Sequence, residues 1–92
     1  MQVKWTDKAL ADLDIIVRYI FQENPAAAFD IEDLILNGVQ NLSQFPYLGR
    51  VGLVFGTREL VIHPNYIVVY RIDEPLVQII SVVHTRRQYP NV

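Results

Sequence analysis

Two arginines, Arg58 and Arg71, sit inside the apolar run GTRELVIHPNYIVVYRI, which extends from Gly56 to Ile72. The run reads as two strands joined by a tight turn, where isoleucine or valine would pack at lower cost. An arginine held in a strand presents a planar, permanently charged fork at fixed geometry, suited to phosphate or carboxylate. His84 ends a third apolar run, and Arg86, Arg87 and Tyr89 follow it in HTRRQYP. His84 and Tyr89 are side chains that can give or take a proton. Whether these groups meet depends on strand register, which one sequence does not fix. By simple alternation Arg58 shares a face with Leu60 and Ile62, Arg71 with Ile67 and Val69, and His84 with Gln78, Ile80 and Val82. Each also has a plainer role. Arg58 beside Glu59, and Arg71 near Asp73 and Glu74, can be exposed ion pairs of little energetic weight. His84 can be a satisfied structural histidine, as His63 is expected to be at its turn, and HTRRQYP can be a solvated tail.

Other chemistries are poorly supplied. The 92 residues contain no cysteine, which excludes disulfides, thiolate metal sites and cysteine nucleophiles. No metal-ligand spacing, glycine-rich phosphate loop or serine–histidine–acid set is present, and no cofactor is implied. Net charge is −2, against the expectation for a general nucleic-acid binder. The charge is uneven: residues 1–50 hold four Lys/Arg against seven Asp/Glu, and residues 51–92 hold four against three, the four all arginine. MQVKWTDKAL lacks the apolar segment of a signal peptide, and no apolar run of about 18 residues offers a membrane span. No membrane contact is expected.

The elements that must position these groups follow from periodicity. Gln2 to Trp5 reads as a short strand. Thr6 reads as an N-cap, with Asp7 favourable in the first turn. Ala9, Leu10, Leu13, Ile16, Val17 and Ile20 form one helical stripe, ending near Gln22 or Glu23. Asn24-Pro25 restarts the chain as N-cap and first helical residue. The second helix is expected from about Pro25 to Gln44, with a stripe of Ala28, Ile31, Leu34, Ile35, Gly38, Leu42 and Phe45. Gly38 suggests a close helix crossing. The short link makes the helices an antiparallel hairpin. Phe45 to Gly56 reads as a loop. Thr57 to His63, Tyr66 to Asp73 and Leu76 to His84 then form an antiparallel meander. The expected fold is a single α+β domain over residues 1–92. It has an N-terminal strand and an antiparallel helical hairpin packed on a small antiparallel sheet. Trp5, Tyr19 and Tyr47 read as packing residues.

This order, carried by WTDKALADLDIIVRYI, FPYLGR, GTRELVIHPNYIVVYRI and VVHTRRQYP, resembles the RelE/ParE superfamily of bacterial type II toxins, and most the ParE branch. The resemblance covers nearly the whole chain. It implies a small cytoplasmic toxin, encoded beside an antitoxin that wraps and neutralises it in a hetero-oligomer. ParE-branch toxins typically poison DNA gyrase. In that case Arg58, Arg71, His84, Arg86 and Arg87 are target-binding residues with no covalent role. RelE-branch toxins cleave mRNA on the ribosome without a metal. On that alternative His84 or Tyr89 supplies acid or base, and Arg58 and Arg71 hold the phosphate. The RelE pattern is richer in lysine and more basic, a departure that weakens the nuclease alternative here. A third possibility is a degenerate toxin that only binds antitoxin. Ile15, Tyr19, Val39, Leu53, Val54 and Phe55 fall off the main stripes or in the loop. On the resemblance, they are expected to form the antitoxin groove, filled by a helix or an added strand.

Overall fold

Thr6 starts the first helix as its type suggests: its hydroxyl accepts from Ala9 N at 3.2 Å, and Asp7 lies in the first turn. Asn24 does the same for the second, accepting from Ala27 N at 3.1 Å with Pro25 at the first position. The computed structural model describes residues 1–86. Its elements are β1 (Gln2–Trp5), α1 (Asp7–Phe21), α2 (Pro25–Asn41), β2 (Arg50–Val51), β3 (Arg58–His63), β4 (Tyr66–Asp73) and β5 (Leu76–His84). The α+β fold matches expectation, and the single sheet has the order β1-β5-β4-β3-β2. The meander β3-β4-β5 is antiparallel, while β1 pairs parallel with β5, so the sheet as a whole is mixed. The loop of residues 45–56 contains one strand missed from sequence: the two-residue β2, which pairs with Arg58 and Glu59.

The core lies between the helices and one sheet face. Ala9, Leu13 and Ile16 of α1, with Ile35, Val39 and Leu42 of the α2 region, pack on Leu60, Tyr66, Val68, Tyr70, Val77, Ile79 and Val82. The buried stripe of α2 is rotated from the expected one. Val39 is inside, while Leu34 and Phe45 are exposed, as is Leu10 on α1. The helix also ends at Asn41 and not Gln44, which removes Phe45 from its face. Gly38 faces the sheet and not α1: an added Cβ would overlap Ile62 Cδ1 of β3.

A bulge in β5 changes which side chains share a face. Val69 pairs with Ser81 and Tyr70 with Ile79, so Ile80 is extra. The polar groups released there are taken by α1. The Thr6 hydroxyl donates to Ile79 O (2.8 Å) and Ile80 O (3.2 Å), and Val82 N donates to Asp12 Oδ2 (3.0 Å). Gln78 therefore stands opposite Arg71, on the face away from the helices, whereas Val82 and His84 stand opposite Val68 and Tyr66 on the helix side.

Candidate functional site

The register separates the residues that the sequence marks. Arg58 pairs with Tyr70, and Arg71 is the next residue along β4, so the two arginines project to opposite faces. His84 pairs with Tyr66, four residues along β4 from Tyr70 and two strands from Arg58. Strand geometry puts Arg58 and His84 about 16 Å apart. Arg87 and Tyr89 lie outside the described residues. Arg58, Arg71 and His84 form no single cluster.

Arg58 holds a loop. Its Nε and Nη2 donate to Gly49 O at 3.1 and 2.6 Å, Nη2 reaches Tyr47 O at 3.5 Å, and the guanidinium lies 5.3 Å from the exposed Tyr47 ring. Tyr47 is thus a lid on a cation rather than a core residue. Tyr70 fixes the same loop from beneath. Its hydroxyl donates to Pro46 O at 2.6 Å and accepts from Gly49 N at 2.9 Å. Glu59 does not pair with Arg58. It is 2% exposed, and Arg50 Nε and Nη2 both donate to its Oε1 at 2.9 Å while Leu53 N donates to Oε2 at 3.0 Å. Sequence reasoning assigned Glu59 and Tyr70 no such role. A carboxylate inside a strand was the available signal for Glu59. A tyrosine in YIVVYRI carried none.

These clamps present an apolar arch. Gly52 N donates to Thr57 O (2.8 Å), the Thr57 hydroxyl donates to Val54 O (2.6 Å), and Gly56 turns the chain at φ 81°. Leu53, Val54 and Phe55 are exposed on it, Phe55 at 102%. A cavity of about 640 Å³ beside the arch is lined by residues including Tyr47, Leu53, Phe55, Arg58, Ile72 and Glu74.

A second cleft lies at the opposite end of β4, where Ile15, Ile16 and Tyr19 of α1 meet Tyr66, His84 and Arg86. The six-residue step from Tyr66 to Ile72 places the two clefts about 20 Å apart. Of the expected antitoxin residues, Ile15 and Tyr19 are exposed here, and Leu53, Val54 and Phe55 are exposed on the arch. Val39 belongs to neither. It is 1% exposed, inside the core with Ile35 and Leu42, because the stripe of α2 turns it toward the sheet. Arg71 and Arg86 are exposed, and their side chains make no hydrogen bond or ion pair among the described residues. His84 accepts from Arg86 N at Nδ1 (3.0 Å) and packs edge-on to Tyr66 at 5.1 Å. His63, as expected of a turn residue, accepts from Asn65 N at 3.0 Å. No group of acidic and histidine side chains suited to a metal ion occurs among the described residues, and no helix there is long and apolar enough to cross a membrane.

Comparison with known proteins places this geometry. Residues 3–89 match the family described as the ParE toxin of the type II toxin-antitoxin system parDE. The chain is 39% identical over 92 residues to Y4kP of Sinorhizobium fredii, covering 99% of this chain and 95% of that protein. It is 37% identical over 86 residues to Toxin RelE2 of Caulobacter vibrioides, covering 94% and 97%. The solved chromosomal ParDE TA system from P. aeruginosa contains a chain that superposes with a TM-score of 0.84 at 30% identity, covering 91% of this chain and 95% of that one. By family match, sequence identity over almost its full length, and fold, the chain belongs to the ParE toxin family of type II toxin-antitoxin systems.

Proposed function

We propose that this toxin arrests its host by binding and inhibiting DNA gyrase without covalent chemistry, and that a cognate antitoxin neutralises it in the cytoplasm as a hetero-oligomer. The observation that carries the choice of target is the separation of Arg58, Arg71 and His84 among the described residues. Metal-free RNA cleavage needs a base, an acid and cations around one phosphate, within hydrogen-bond reach. Here Arg58 is occupied by the Gly49 carbonyl, Arg71 points to the other face, and His84 lies across the sheet. Such an arrangement suits separate grips on a large partner better than one reaction centre. The net charge of −2 also disfavours ribosome binding, which rests on many phosphate contacts.

Antitoxin binding is supported by the family and by the solved ParDE neighbour. The exposed apolar residues on the arch and on α1 are the surfaces we assign to it. The test is a supercoiling assay with purified gyrase. Wild-type protein should inhibit; folded Arg71→Ala and Arg86→Ala variants should inhibit less, and added antitoxin should restore activity. Intact supercoiling together with cleavage of mRNA on translating ribosomes would reject gyrase in favour of ribonuclease action by His84 or Tyr89. Neither effect, with antitoxin still bound, would leave a non-toxic binding module.

A further inference from the structure

The strand register lines up three polar side chains on the sheet face away from the helices. Lys4 of β1 stands opposite Gln78 of β5, and Gln78 stands opposite Arg71 of β4. Their chain neighbours pack against the core: Val3 and Trp5 beside Lys4, Val77 and Ile79 beside Gln78, Tyr70 and Ile72 beside Arg71. Alternation therefore sends Lys4, Gln78 and Arg71 together to the other face. Adjacent strands lie about 4.8 Å apart, so the row crosses three strands and sets Lys4 and Arg71 about 10 Å apart. His84 and Arg86 lie at the opposite end of β4, beside Tyr66, about 17 Å from Arg71.

The row is cationic and unengaged. Lys4 and Arg71 are exposed and Gln78 is half-buried, and none of the three side chains makes a hydrogen bond or ion pair among the described residues. The acids on the same face do not neutralise it. Glu59 has its oxygens filled by Arg50 and by Leu53 N. Asp73, two residues along β4 from Arg71 and so about 7 Å away, forms no ion pair with it among the described residues. An arginine fork takes a carboxylate through two parallel hydrogen bonds, a glutamine amide adds a donor beside it, and a lysine is a point charge for a second carboxylate. Residues i and i+7 of a helix lie about 10.5 Å apart on one face, which matches the two ends of the row. A nucleic-acid strand fits less well. Its affinity rests on many phosphate contacts, the row offers two cations, and a broad polyanion laid there would also meet Asp73.

We propose that this row holds an acidic segment of the target protein, which presents two carboxylates about 10 Å apart. One meets Arg71, the other meets Lys4, and Gln78 lies between them. None of the residues assigned to the antitoxin belongs to the row. The proposal rests on the gyrase reading given above and adds the kind of contact: protein to protein, on the sheet face away from the helices. It also brings Lys4, at the far end of the chain from Arg71, into the same grip.

The test is titration calorimetry of the toxin with purified gyrase free of DNA. Lys4→Glu and Arg71→Glu reverse the two exposed charges of the row, and Arg18→Glu reverses an exposed charge on α1 as a control. Circular dichroism checks that all three variants fold. Lys4→Glu and Arg71→Glu should each weaken binding about tenfold at low salt, with the difference shrinking as salt rises. Arg18→Glu should stay within about twofold of wild type. Both row variants within about twofold of wild type would overturn the row while leaving gyrase inhibition intact. An equal loss in Arg18→Glu would overturn it as well, by reducing the effect to net charge. So would binding that occurs only when gyrase carries DNA, which would make a phosphate backbone the ligand. Failure of the wild-type protein to bind or inhibit gyrase in either form would overturn both the row and the gyrase reading.

Discussion

Replacing Tyr70 by phenylalanine should loosen the loop that orients Arg58. Tyr70 is fully buried in β4, and the change removes one oxygen while leaving the ring to fill its space. Two hydrogen bonds go: the one to Pro46 O at 2.6 Å and the one from Gly49 N at 2.9 Å. A neutral hydrogen bond contributes about 1 kcal/mol net, and a buried group left unpaired costs about 1–3 kcal/mol. Pro46 is half-buried, so water can reach its carbonyl; Gly49 is buried, so its N–H is the group stranded. The expected loss is therefore about 2 kcal/mol. For a domain of this size that corresponds to a fall in Tm of roughly 8–16 °C. Urea denaturation of the two proteins should give equal slopes and a lower midpoint for the variant. Because Gly49 O is also the acceptor for Arg58, amide exchange at residues 47–50 should speed up as well. A loss under about 0.5 kcal/mol with unchanged exchange would refute the reasoning, since such a change is what an unremarkable surface substitution gives.

Glu59→Ala should destabilise by about 2–3 kcal/mol, less than a fully buried pair would, because Arg50 is largely exposed and can return to water. An unchanged urea midpoint would contradict the clamp. Gly49→Ala should exceed Gly56→Ala in cost. An added Cβ at Gly49 would lie 2.7 Å from both Glu59 O and Tyr70 Oη, whereas Gly56 meets nothing within 4 Å and suffers only its φ of 81°, about 1 kcal/mol. Equal melting temperatures for the two variants would count against this ordering. Asp12→Ala should cost about 1–2 kcal/mol by stranding Val82 N at the bulge, while Asp12→Asn, which keeps an acceptor, should cost less. Calorimetric melts that rank the two the other way would reject the bulge cap. Arg71→Ala should shift stability by less than about 0.5 kcal/mol yet lower toxicity in a plate-growth assay; full toxicity in the folded variant would make Arg71 an idle surface cation.

What local chemistry decides was readable from the sequence. Thr6 and Asn24-Pro25 announce helix starts because capping uses only neighbouring residues. Pro64-Asn65 and Asp73 to Pro75 announce turns for the same reason, and the meander follows from their shortness. Whatever long-range pairing decides was not readable. The bulge at Ile80 moves His84 onto the face opposite Gln78, and alternation carries no sign of it. The rotation of α2 that buries Val39 and exposes Leu34 depends on where Gly38 meets Ile62, a contact between elements distant in sequence. Arg58 stands out in the sequence as a cation inside an apolar strand. The carbonyls that occupy it belong to a loop whose path is fixed by Tyr70 and Glu59, two residues with no motif around them. The two clefts likewise arise from elements that the chain brings together only on folding.

The most direct test of the central claim is pulse labelling after expression of the toxin alone in a bacterial host. Thymidine and amino-acid incorporation are followed side by side through the first minutes. Inhibition of gyrase predicts that thymidine incorporation falls first, accompanied by a DNA-damage response. Collapse of amino-acid incorporation while thymidine incorporation continues would contradict the account and place the target in translation.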